Sequence, residues 1–408
     1  MKVKNLKLIP LHLMAALMAS YRRGPARPEM DRTQLAQQRI ALVKLDGIGD
    51  FVLATGLLRL IERELPQAKV TLFCRRPVGE LARQQFPGWS VEEVFDLRNK
   101  ARQILLDRAT QRQIQSLKPF DLLLDLRTYR DFIERTIASW IPARQKIAPA
   151  NPYLPASRWR RRPLETGIYD LLIPPMPVAE EAGIPRELQN HQALAKFLFA
   201  GLTGGQAPSP RLTVSDGEKI KLARRFSPAL DAPFLLVCPG ARAAIREYPA
   251  EELAKAVADA VGGSSLPVVV AGSKQDANII GAFNGALGRL GIKVLDLTGV
   301  LNLAEHLVLI SLAQAVLCME TSHAHMAGAV GTPAVVILGG GHHSYFAPWG
   351  ESPTFRWLTN RLPCFGCNWV CSQPRPICIQ DIPPAVIARN LAEVLQLSAG
   401  GGEATFNG

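Results

Sequence analysis

Short apolar runs and helical segments alternate along the chain from Arg39 to about Leu397. Short runs of β-favouring residues predict buried strands, whereas apolar residues that recur every three to four positions predict helices. This alternation is typical of a parallel sheet covered by helices. It predicts strands at residues 40–45, 70–74, 91–95, 122–126, 234–238, 268–271, 294–297, 316–318 and 335–338, with helices such as 51–65 and 78–86 between the first of them.

A stretch rich in Gly, Pro and Ser, GLTGGQAPSPRLTVSDG, interrupts this pattern and is typical of a linker. We therefore predict an N-terminal segment at 1–38, a first Rossmann-like domain at 39–200, a linker at 201–217, a second Rossmann-like domain at 218–397 and a disordered tail at 398–408. Two such α/β halves would place a cleft between the carboxyl ends of their strands, where open α/β sheets bind ligands.

Composition and charge limit the classes of molecule that this protein is expected to bind. The 408 residues, 48% of them hydrophobic, suffice for two cores. The formal net charge of +12 favours phosphates, nucleotides, nucleic acid or anionic lipid, without choosing among them. The basic residues are scattered apart from SRWRRRP, and no nucleic-acid-binding module is recognisable, so nucleic acid is not expected as a partner.

The N-terminal stretch MKVKNLKLIPLHLMAALMASYRRGPARP has a basic start, an apolar part at 8–19 and arginines after it. The apolar part is shorter than the ~20 residues that span a bilayer. A signal peptide, a basic helix lying on a membrane surface and a frayed terminus all fit this pattern.

The stretch LVKLDGIGDFVLATG predicts a strand, a loop containing Gly47 and Gly49, and a helix that restarts at Phe51. This layout is typical of an anion or nucleotide site. The loop ends in Asp50, however, and lacks the Lys-Ser/Thr of a phosphate-binding loop. A dinucleotide-dependent oxidoreductase is a weaker alternative, because the third glycine of G-x-G-x-x-G is missing and no acidic residue ends the second strand.

Two stretches of the second half carry candidate anion ligands. In VCPGARAAIREYP, a turn at Gly240 precedes Arg242 and Arg246, whose guanidinium groups suit a diphosphate or are simply solvated.

In VLCMETSHAHMAGAVGTPAVVILGGG, Glu320, Thr321 and Ser322 lead from a strand into a helix that ends near Gly331. A helix start attracts an anion, although the same residues could form only a capping box. The spacing of the nearby histidines predicts no metal site here.

The chain resembles glycosyltransferase family 9, the bacterial heptosyltransferases, from Arg39 to about Leu397. Four stretches carry the resemblance in order: LVKLDGIGDFVLATGLLRLI, CPGARAAIREYPAEELAKAV, LDLTGVLNLAEHLVLI and METSHAHMAGAVGTPAVVILG. The last is similar to the family's D-T-G-x-x-H-x-A-x-A-x-G-x-P, and the first to its strand–(S/D)-x-IGD–helix opening.

The resemblance implies a GT-B fold, an α/β architecture of two Rossmann-like domains facing each other across a cleft, and an inverting, metal-independent transfer. The donor so implied is ADP-heptose, and the acceptor a lipopolysaccharide-core or related cell-envelope glycan, with an autotransporter protein as the alternative. Asp50 looks like the general base and Arg246 like the group that stabilises the leaving diphosphate. The implied donor-binding residues are Gly240, Arg242, Asp276, Glu320, Thr321, Ser322 and His325, and Gly47 and Gly49 form the acceptor-side loop.

The chain departs from the family pattern at three places. It has Glu320-Thr321-Ser322 where the family has Asp-Thr-Gly, Arg246 where the family has Lys, and Tyr248-Pro249 where the family has Trp-Pro. Charge is kept at Glu320 and Arg246, so we expect the chemistry to survive and leave donor specificity open.

Four of the seven cysteines form a C-x2-C-x3-C-x6-C cluster: Cys364, Cys367, Cys371 and Cys378. Four thiolates this close can bind Zn or Fe tetrahedrally, or they are incidental cysteines of a loop. The cluster resembles the iron-binding cysteines of family members that glycosylate autotransporters, which implies a structural metal that catalysis does not need. The other cysteines end predicted buried strands, a distribution that suits a reducing compartment.

The resemblance also implies a location in the cytoplasm, at the inner face of the cytoplasmic membrane. The partners so implied are the nucleotide-sugar donor, a saccharide or lipid-linked acceptor and the membrane surface. Whether the chain forms a homo-oligomer is left open.

Overall fold

The computed structural model describes residues 38–95, 107–150, 167–174, 184–199 and 209–399. These residues divide into two compact units. The first contains 38–95, 107–150, 167–174 and 189–199, and the second contains 184–188 and 209–399. The helix Arg186–Leu198 therefore begins in the second unit and continues in the first. Residues 1–37 of the N-terminal segment, SRWRRRP and residues 201–208 of the predicted linker lie outside the described residues.

The first unit is a parallel six-stranded sheet with the strand order β3-β2-β1-β4-β5-β6. Its strands are β1 Arg39–Lys44, β2 Lys69–Arg75, β3 Ser90–Phe95, β4 Phe120–Asp125, β5 Ala143–Pro149 and β6 Leu171–Ile173. Its helices are Ile48–Glu64, Arg76–Gln85, Arg108–Gln115, Phe132–Trp140 and the greater part of Arg186–Leu198. Five of the six residues of β1 are buried, as expected for a central parallel strand covered on both faces.

The second unit repeats this plan in the strand order β12-β11-β10-β7-β8-β9. Its strands are β7 Leu235–Cys238, β8 Val268–Val270, β9 Val294–Asp296, β10 Ala315–Met319, β11 Ala334–Ile337 and β12 Phe355–Leu358. Its α-helices are Asp216–Arg225, Ala250–Val261, Ala277–Arg289, Leu303–Leu312, Ser322–Val330, Ile377–Gln380 and Pro384–Ala399, with short 3-10 turns at Ala244–Arg246, Lys274–Asp276 and Gly340–His342.

Each sheet has the order of a doubly wound fold, and the chain direction across the sheet reverses beside its first strand. In the first unit the reversal lies between β1 and β4, and in the second it lies between β7 and β10. Ligands of doubly wound sheets bind at the carboxyl ends of the strands flanking this point. The residues that follow β1, β4, β7 and β10 are therefore the ones best placed to bind a ligand.

The predicted strands are confirmed to within one or two residues at their ends, but three strands were not predicted. β5 contains Arg144, Gln145 and Lys146 and ends in proline, so its sequence lacks an apolar run. Lys146 is nevertheless buried, because its ammonium group donates to the carbonyl of Ala138 at 2.6 Å. β6 and β12 lie at the edges of their sheets and are only three and four residues long.

Three predicted boundaries are wrong. The first helix begins at Ile48 rather than at Phe51, so Asp50 lies in its first turn. The helix Asp216–Arg225 occupies the last two positions of the predicted linker, because Ser215 caps it and Glu218 closes a capping box. The final helix runs to Ala399, so positions 398 and 399 do not belong to a disordered tail. Among the described residues, no helix is long and apolar enough to cross a membrane.

Candidate active site

Asp50 is held at the start of the first helix of the first unit. The backbone N–H of Gly47, the residue that caps this helix, donates to Oδ2 of Asp50 at 2.9 Å. A carbon added at Gly47 would lie 2.8 Å from the same oxygen, so glycine permits this contact. Gly49 lies one residue before Asp50 in the same helical turn. Oδ1 of Asp50 has no hydrogen-bond partner in the described part of the chain, which leaves one half-buried carboxylate oxygen able to accept a proton.

A charged network that sequence reasoning did not identify lies behind Asp50. The ammonium group of Lys44 donates to Asp46 at 2.9 Å, and Arg127 lies 3.8 Å from the same carboxylate and 2.8 Å from Glu134. Burial raises the pKa of Asp46, the Lys44 charge lowers it, and the charge of Asp50 raises it again. Lys44 and Asp46 lie in the same stretch as Asp50, LVKLDGIGDFVLATG, where two opposite charges at the end of a buried strand are the sequence signal for this network.

In the second unit, Gly240 and Asp276 lie against each other. A carbon added at Gly240 would be 2.5 Å from Cγ of Asp276, so only glycine leaves room for this carboxylate. Asp276 accepts from the backbone N–H of Ser273 at 2.8 Å and from its hydroxyl at 2.7 Å, which fixes its position. Asp276, one of the donor-binding residues that the resemblance implies, thus lies beside the turn that follows β7.

Arg246 and Glu320 form an ion pair at the carboxyl end of β10. Nη2 of Arg246 lies 2.6 Å from Oε2 of Glu320 and also donates to the Glu320 carbonyl oxygen. Nε of Arg246 is buried without a hydrogen-bond partner among the described residues. Glu320 is 5% exposed, so it serves as the counter-ion of Arg246, and donor contact by its carboxylate, as the resemblance implied, stays a prediction.

The helix Ser322–Val330 begins directly after this pair. Thr321 caps it by accepting from the backbone N–H of His323 at 3.4 Å. The third helical position is Ala324, so the reciprocal half of a capping box is missing, whereas Thr321 does satisfy one N–H of the helix as that alternative expected. The Ser322 hydroxyl has no partner in the described part of the chain, and with the free N–H groups of the first turn it offers donors to an anion.

His325 is a buried residue that packs behind the Arg246–Glu320 ion pair. Its Nδ1 accepts from the indole N–H of Trp349 at 2.9 Å, and its Nε2 lies 3.9 Å from Glu320. Burial, assisted by the nearby charge of Arg246, lowers the pKa of His325 to about 3. The imidazole is therefore neutral at physiological pH, and it lies behind the ion pair, 3% exposed.

The two arginines of the turn after β7 have different environments. Arg242 is exposed and has no protein partner in the described part of the chain, so it is free to bind a ligand or to remain solvated. Arg246 is partly buried, and its guanidinium group lies over the Trp369 ring at 5.0 Å. Tyr248, where the family has tryptophan, is 1% exposed and donates to the Ile382 carbonyl oxygen at 2.6 Å, so this departure lies in the core.

The cysteine cluster lies in a loop that packs against the glycines following β11. Carbons added at Gly340 and Gly341 would lie 2.3 Å from the rings of Phe365 and Trp369 respectively, so these glycines admit the loop. The indole N–H of Trp369 donates to His342 at 3.2 Å. The loop thus carries the ring that covers Arg246, a role that was not apparent from the sequence.

The four thiols of this loop, Cys364, Cys367, Cys371 and Cys378, are close without being gathered into a ligand sphere. Burial raises the pKa of Cys378, the N–H of Gly340 that donates to its sulfur lowers it, and the other three cysteines raise it. In the part of the chain that the structure describes, however, no three of the four sulfur atoms lie within 4.8 Å of one another. A tetrahedral Zn site needs sulfur atoms about 3.8 Å apart. Four thiols are suitable ligands for a metal ion, but in this loop the sulfur atoms have to move closer together before they can bind one.

Two doubly wound units of this kind form a GT-B fold. The family match places the protein in the class of nucleotide-sugar glycosyltransferases. The resemblance to family 9 is confirmed over part of the chain, because the model "Glycosyltransferase family 9 (heptosyltransferase)" matches residues 183–371.

Solved structures of low sequence identity share the fold. A family 9 glycosyl transferase from Veillonella parvula is 13% identical, with a TM-score of 0.65 over 89% of this chain and 98% of its own. The E. coli ADP-heptose lipopolysaccharide heptosyltransferase II is 17% identical, with a TM-score of 0.63 over 88% of this chain and 99% of its own. E. coli heptosyltransferase WaaC with ADP-2-deoxy-2-fluoro heptose is 14% identical, with a TM-score of 0.50 over 74% of this chain and 89% of its own. Comparison with curated proteins gives no match.

Proposed function

We propose that this enzyme is an inverting transferase that moves heptose from ADP-heptose onto a lipopolysaccharide-core or related cell-envelope glycan. The family match covers the greater part of the second unit, including the candidate donor site. Two of the similar folds belong to enzymes described as an ADP-heptose transferase and as a heptosyltransferase with an ADP-heptose analogue. These support a heptosyl donor, and the family match gives no support to the oxidoreductase alternative.

The observation that carries the proposal is the placement of Arg246 beside the start of the helix Ser322–Val330. Glu320 fixes the guanidinium group two residues before this helix, and Trp369 covers its face. When the bond between the anomeric carbon and the diphosphate breaks, the electron pair leaves with the diphosphate, whose charge increases. A positioned cation and free helical N–H groups stabilise that charge without needing a metal.

Asp50 supplies the base in this proposal. The acceptor oxygen bonds to the anomeric carbon on the face opposite the departing diphosphate, which inverts the configuration. Its proton passes to a carboxylate within hydrogen-bonding reach. The Gly47 N–H orients one oxygen of Asp50, and the other oxygen is available to receive that proton.

A donor panel tests this function. Thermal unfolding would be followed with ADP, UDP, GDP, ADP-heptose and UDP-glucose, because a ligand that binds only the folded state raises the unfolding temperature. We expect ADP and ADP-heptose to stabilise the protein and the other compounds to have little effect. Stabilisation by UDP-glucose alone would overturn the heptosyl assignment.

The acceptor needs a separate assay. ADP release from ADP-heptose would be measured with a delipidated lipopolysaccharide core lacking heptose, and with an unfolded autotransporter passenger segment. We expect the core glycan to accelerate ADP release. Acceleration by the protein segment alone would favour the protein-acceptor alternative.

We also propose that the enzyme works in the cytoplasm, at the inner face of the cytoplasmic membrane. The net charge of +12 and the arginines of SRWRRRP support attraction to anionic lipid. Basic residues beside an anionic leaflet contribute ~1 kcal/mol each to binding. An apolar stretch at positions 8–19 would add burial in the headgroup region.

The cysteine loop is proposed to bind one structural Zn or Fe ion. Its support is the donor chemistry of the four thiols and the backbone N–H of Gly340, which donates to the Cys378 sulfur at 3.5 Å. Binding would draw Cys364, Cys367 and Cys371 toward Cys378 and fix the loop that bears Trp369. The ion takes no part in the transfer itself.

A further inference from the structure

Three metal-ligating side chains from three different elements meet beneath the candidate donor site. Cys238 is the last residue of β7, His306 lies on the helix Leu303–Leu312, and His323 is the second residue of the helix Ser322–Val330. One ligand atom from each lies within 4.8 Å of the other two. They form the one such group of histidine, cysteine and carboxylate side chains within the described ranges.

The spacing is close to that of a metal site. Tetrahedral Zn with sulfur at about 2.3 Å and nitrogen at about 2.0 Å places its ligand atoms roughly 3.3 to 3.6 Å apart. The Cys238 sulfur lies 3.9 Å from Nε2 of His306, and the rings of His306 and His323 have their centroids 4.7 Å apart. Small side-chain movements would therefore complete the ligand sphere.

The hydrogen bond of His323 leaves a suitable ring nitrogen free. Its Nδ1 lies 2.9 Å from the Thr321 hydroxyl, which can itself donate to the Met319 carbonyl oxygen at 3.3 Å. When the hydroxyl donates to that carbonyl, Nδ1 of His323 must carry the hydrogen, and Nε2 keeps its lone pair. Metal-binding histidines are commonly oriented in this way by a hydrogen bond from the second nitrogen.

The surroundings favour a closed, specific site. Cys238 is fully buried and His306 is 8% exposed, so this group differs from the exposed histidines that bind metal weakly at protein surfaces. One thiol and two imidazoles form a ligand set that suits Zn and other borderline ions better than Mg or Ca. Cys318, paired with Cys238 in the neighbouring strand β10, is a buried thiol outside the group.

We propose that Cys238, His306 and His323 form a second metal-binding site, distinct from the cysteine loop, that takes Zn²⁺ or an ion of the same class. Such an ion would tie β7 to two helices, including the helix that starts at the candidate diphosphate site. It would leave one coordination position for water. The inference does not depend on which sugar is transferred.

Cobalt binding tests the proposal on the whole chain. The loop thiols would first be removed by the substitutions Cys364→Ser, Cys367→Ser and Cys371→Ser, so that they cannot contribute. Co²⁺ added to this metal-free protein should produce a thiolate-to-metal charge-transfer band in the near ultraviolet and visible bands of tetrahedral intensity. Zn²⁺ should abolish both sets of bands by displacing the cobalt.

Substitutions then assign the ligands. In the same background, Cys238→Ser should remove the charge-transfer band, and His323→Gln should weaken Co²⁺ binding by at least about tenfold, since even outer-shell changes cost about that much. Cys318→Ser is the matched control and should leave the spectrum unchanged. Circular dichroism would establish that each variant is folded, and the partly exposed His323 gives the variant least able to disturb the fold.

Two results would overturn the proposal. One is a charge-transfer band that survives Cys238→Ser but disappears with Cys318→Ser or Cys378→Ser, which would place the metal elsewhere. The other is the absence of Co²⁺ or Zn²⁺ binding at micromolar concentration by a folded protein. Neither result would bear on donor choice, so the glycosyltransferase assignment is tested separately.

Discussion

Arg246 and Glu320 are joined by a 2.6 Å ion pair in which the arginine also donates to the backbone carbonyl of its partner. The pair ties the turn after β7 to the end of β10, the two strands that flank the switch point. A lysine, as the resemblance leads one to expect here, offers a single point charge without the planar fork of arginine. The pair therefore both places a cation near the candidate diphosphate site and connects two loops.

These two roles of Arg246 can be separated. Arg246→Ala should weaken ADP binding and slow transfer, because a charge-assisted contact is lost. It should also lower the free energy of unfolding by about 3 kcal/mol, because Glu320 is left buried without its counter-ion. The double variant Arg246→Ala/Glu320→Gln should recover much of this stability while ADP binding stays weak. Calorimetry of ADP binding and chemical denaturation measure the two effects.

Arg246→Lys is the conservative control for this experiment. It keeps the charge, so we expect ADP affinity between that of the wild type and that of Arg246→Ala. Unchanged ADP affinity in the alanine variant would remove Arg246 from the donor site and leave it a structural residue.

Asp50→Asn should abolish most transfer and leave the fold intact. The amide oxygen can still accept from the Gly47 N–H, so the helix cap survives, but an amide cannot take the proton of the acceptor hydroxyl. The rate of transfer should fall by about 10²–10⁴, with ADP-heptose binding unchanged. Single-turnover kinetics and thermal stability with donor provide the measurements.

Asp46→Asn is a useful companion to Asp50→Asn. It changes a neighbouring carboxylate that is already engaged by Lys44, and so it should affect stability more than proton transfer. Near-normal turnover by the Asp50→Asn protein would show that another group is the base.

The cysteine loop should contain one metal ion, and its removal should affect nucleotide binding. Elemental analysis of protein prepared without chelator should give one equivalent of Zn or Fe more than the Cys364→Ser/Cys367→Ser variant gives. Because Trp369 lies over Arg246 and belongs to this loop, we expect the variant to bind ADP a few-fold more weakly. Equal metal content in the two proteins would show that the loop holds no ion.

The N-terminal segment should determine location rather than catalysis. Deleting residues 1–26 should move the enzyme from the membrane fraction to the soluble fraction, because basic and apolar groups that bind the headgroup region are lost. Activity on a short, delipidated acceptor should persist. Cleavage of the intact protein near Ala19–Ser20 and its export would instead favour the signal-peptide interpretation, and a cytosolic donor would then be out of reach.

The sequence predicted the core of the fold because the central strands are apolar runs. β1, β7 and β10 lie inside doubly wound sheets, so burial on both faces leaves little polar sequence in them. Edge strands such as β12 are short and half-exposed, and their sequences do not distinguish them from loops. Prediction also failed inside the sheet at Lys146. Its buried ammonium group donates to the Ala138 carbonyl, a partner that becomes available only when the chain folds.

The residues of the candidate site could be predicted where they belong to one continuous motif. They could not be predicted where they lie far apart in the sequence. Asp50 and Gly47 lie three positions apart, so both belong to one recognisable stretch. Trp369 contacts Arg246 although it lies 123 positions away in the sequence, and no local sequence pattern predicts that contact. The meeting of Cys238 with His306 and His323 likewise depends on the strand order, which brings β7 beside β10.

The contact between Gly240 and Asp276 constrains how this enzyme can diverge. A side chain at position 240 would occupy the space of the Asp276 carboxyl group, so a change at Gly240 is tolerated only if Asp276 also changes. The two positions should therefore covary among homologues, with glycine retained wherever the acid is retained. The order of replacement during evolution is thereby constrained, because the acid at position 276 has to be lost before or together with the gain of a side chain at position 240.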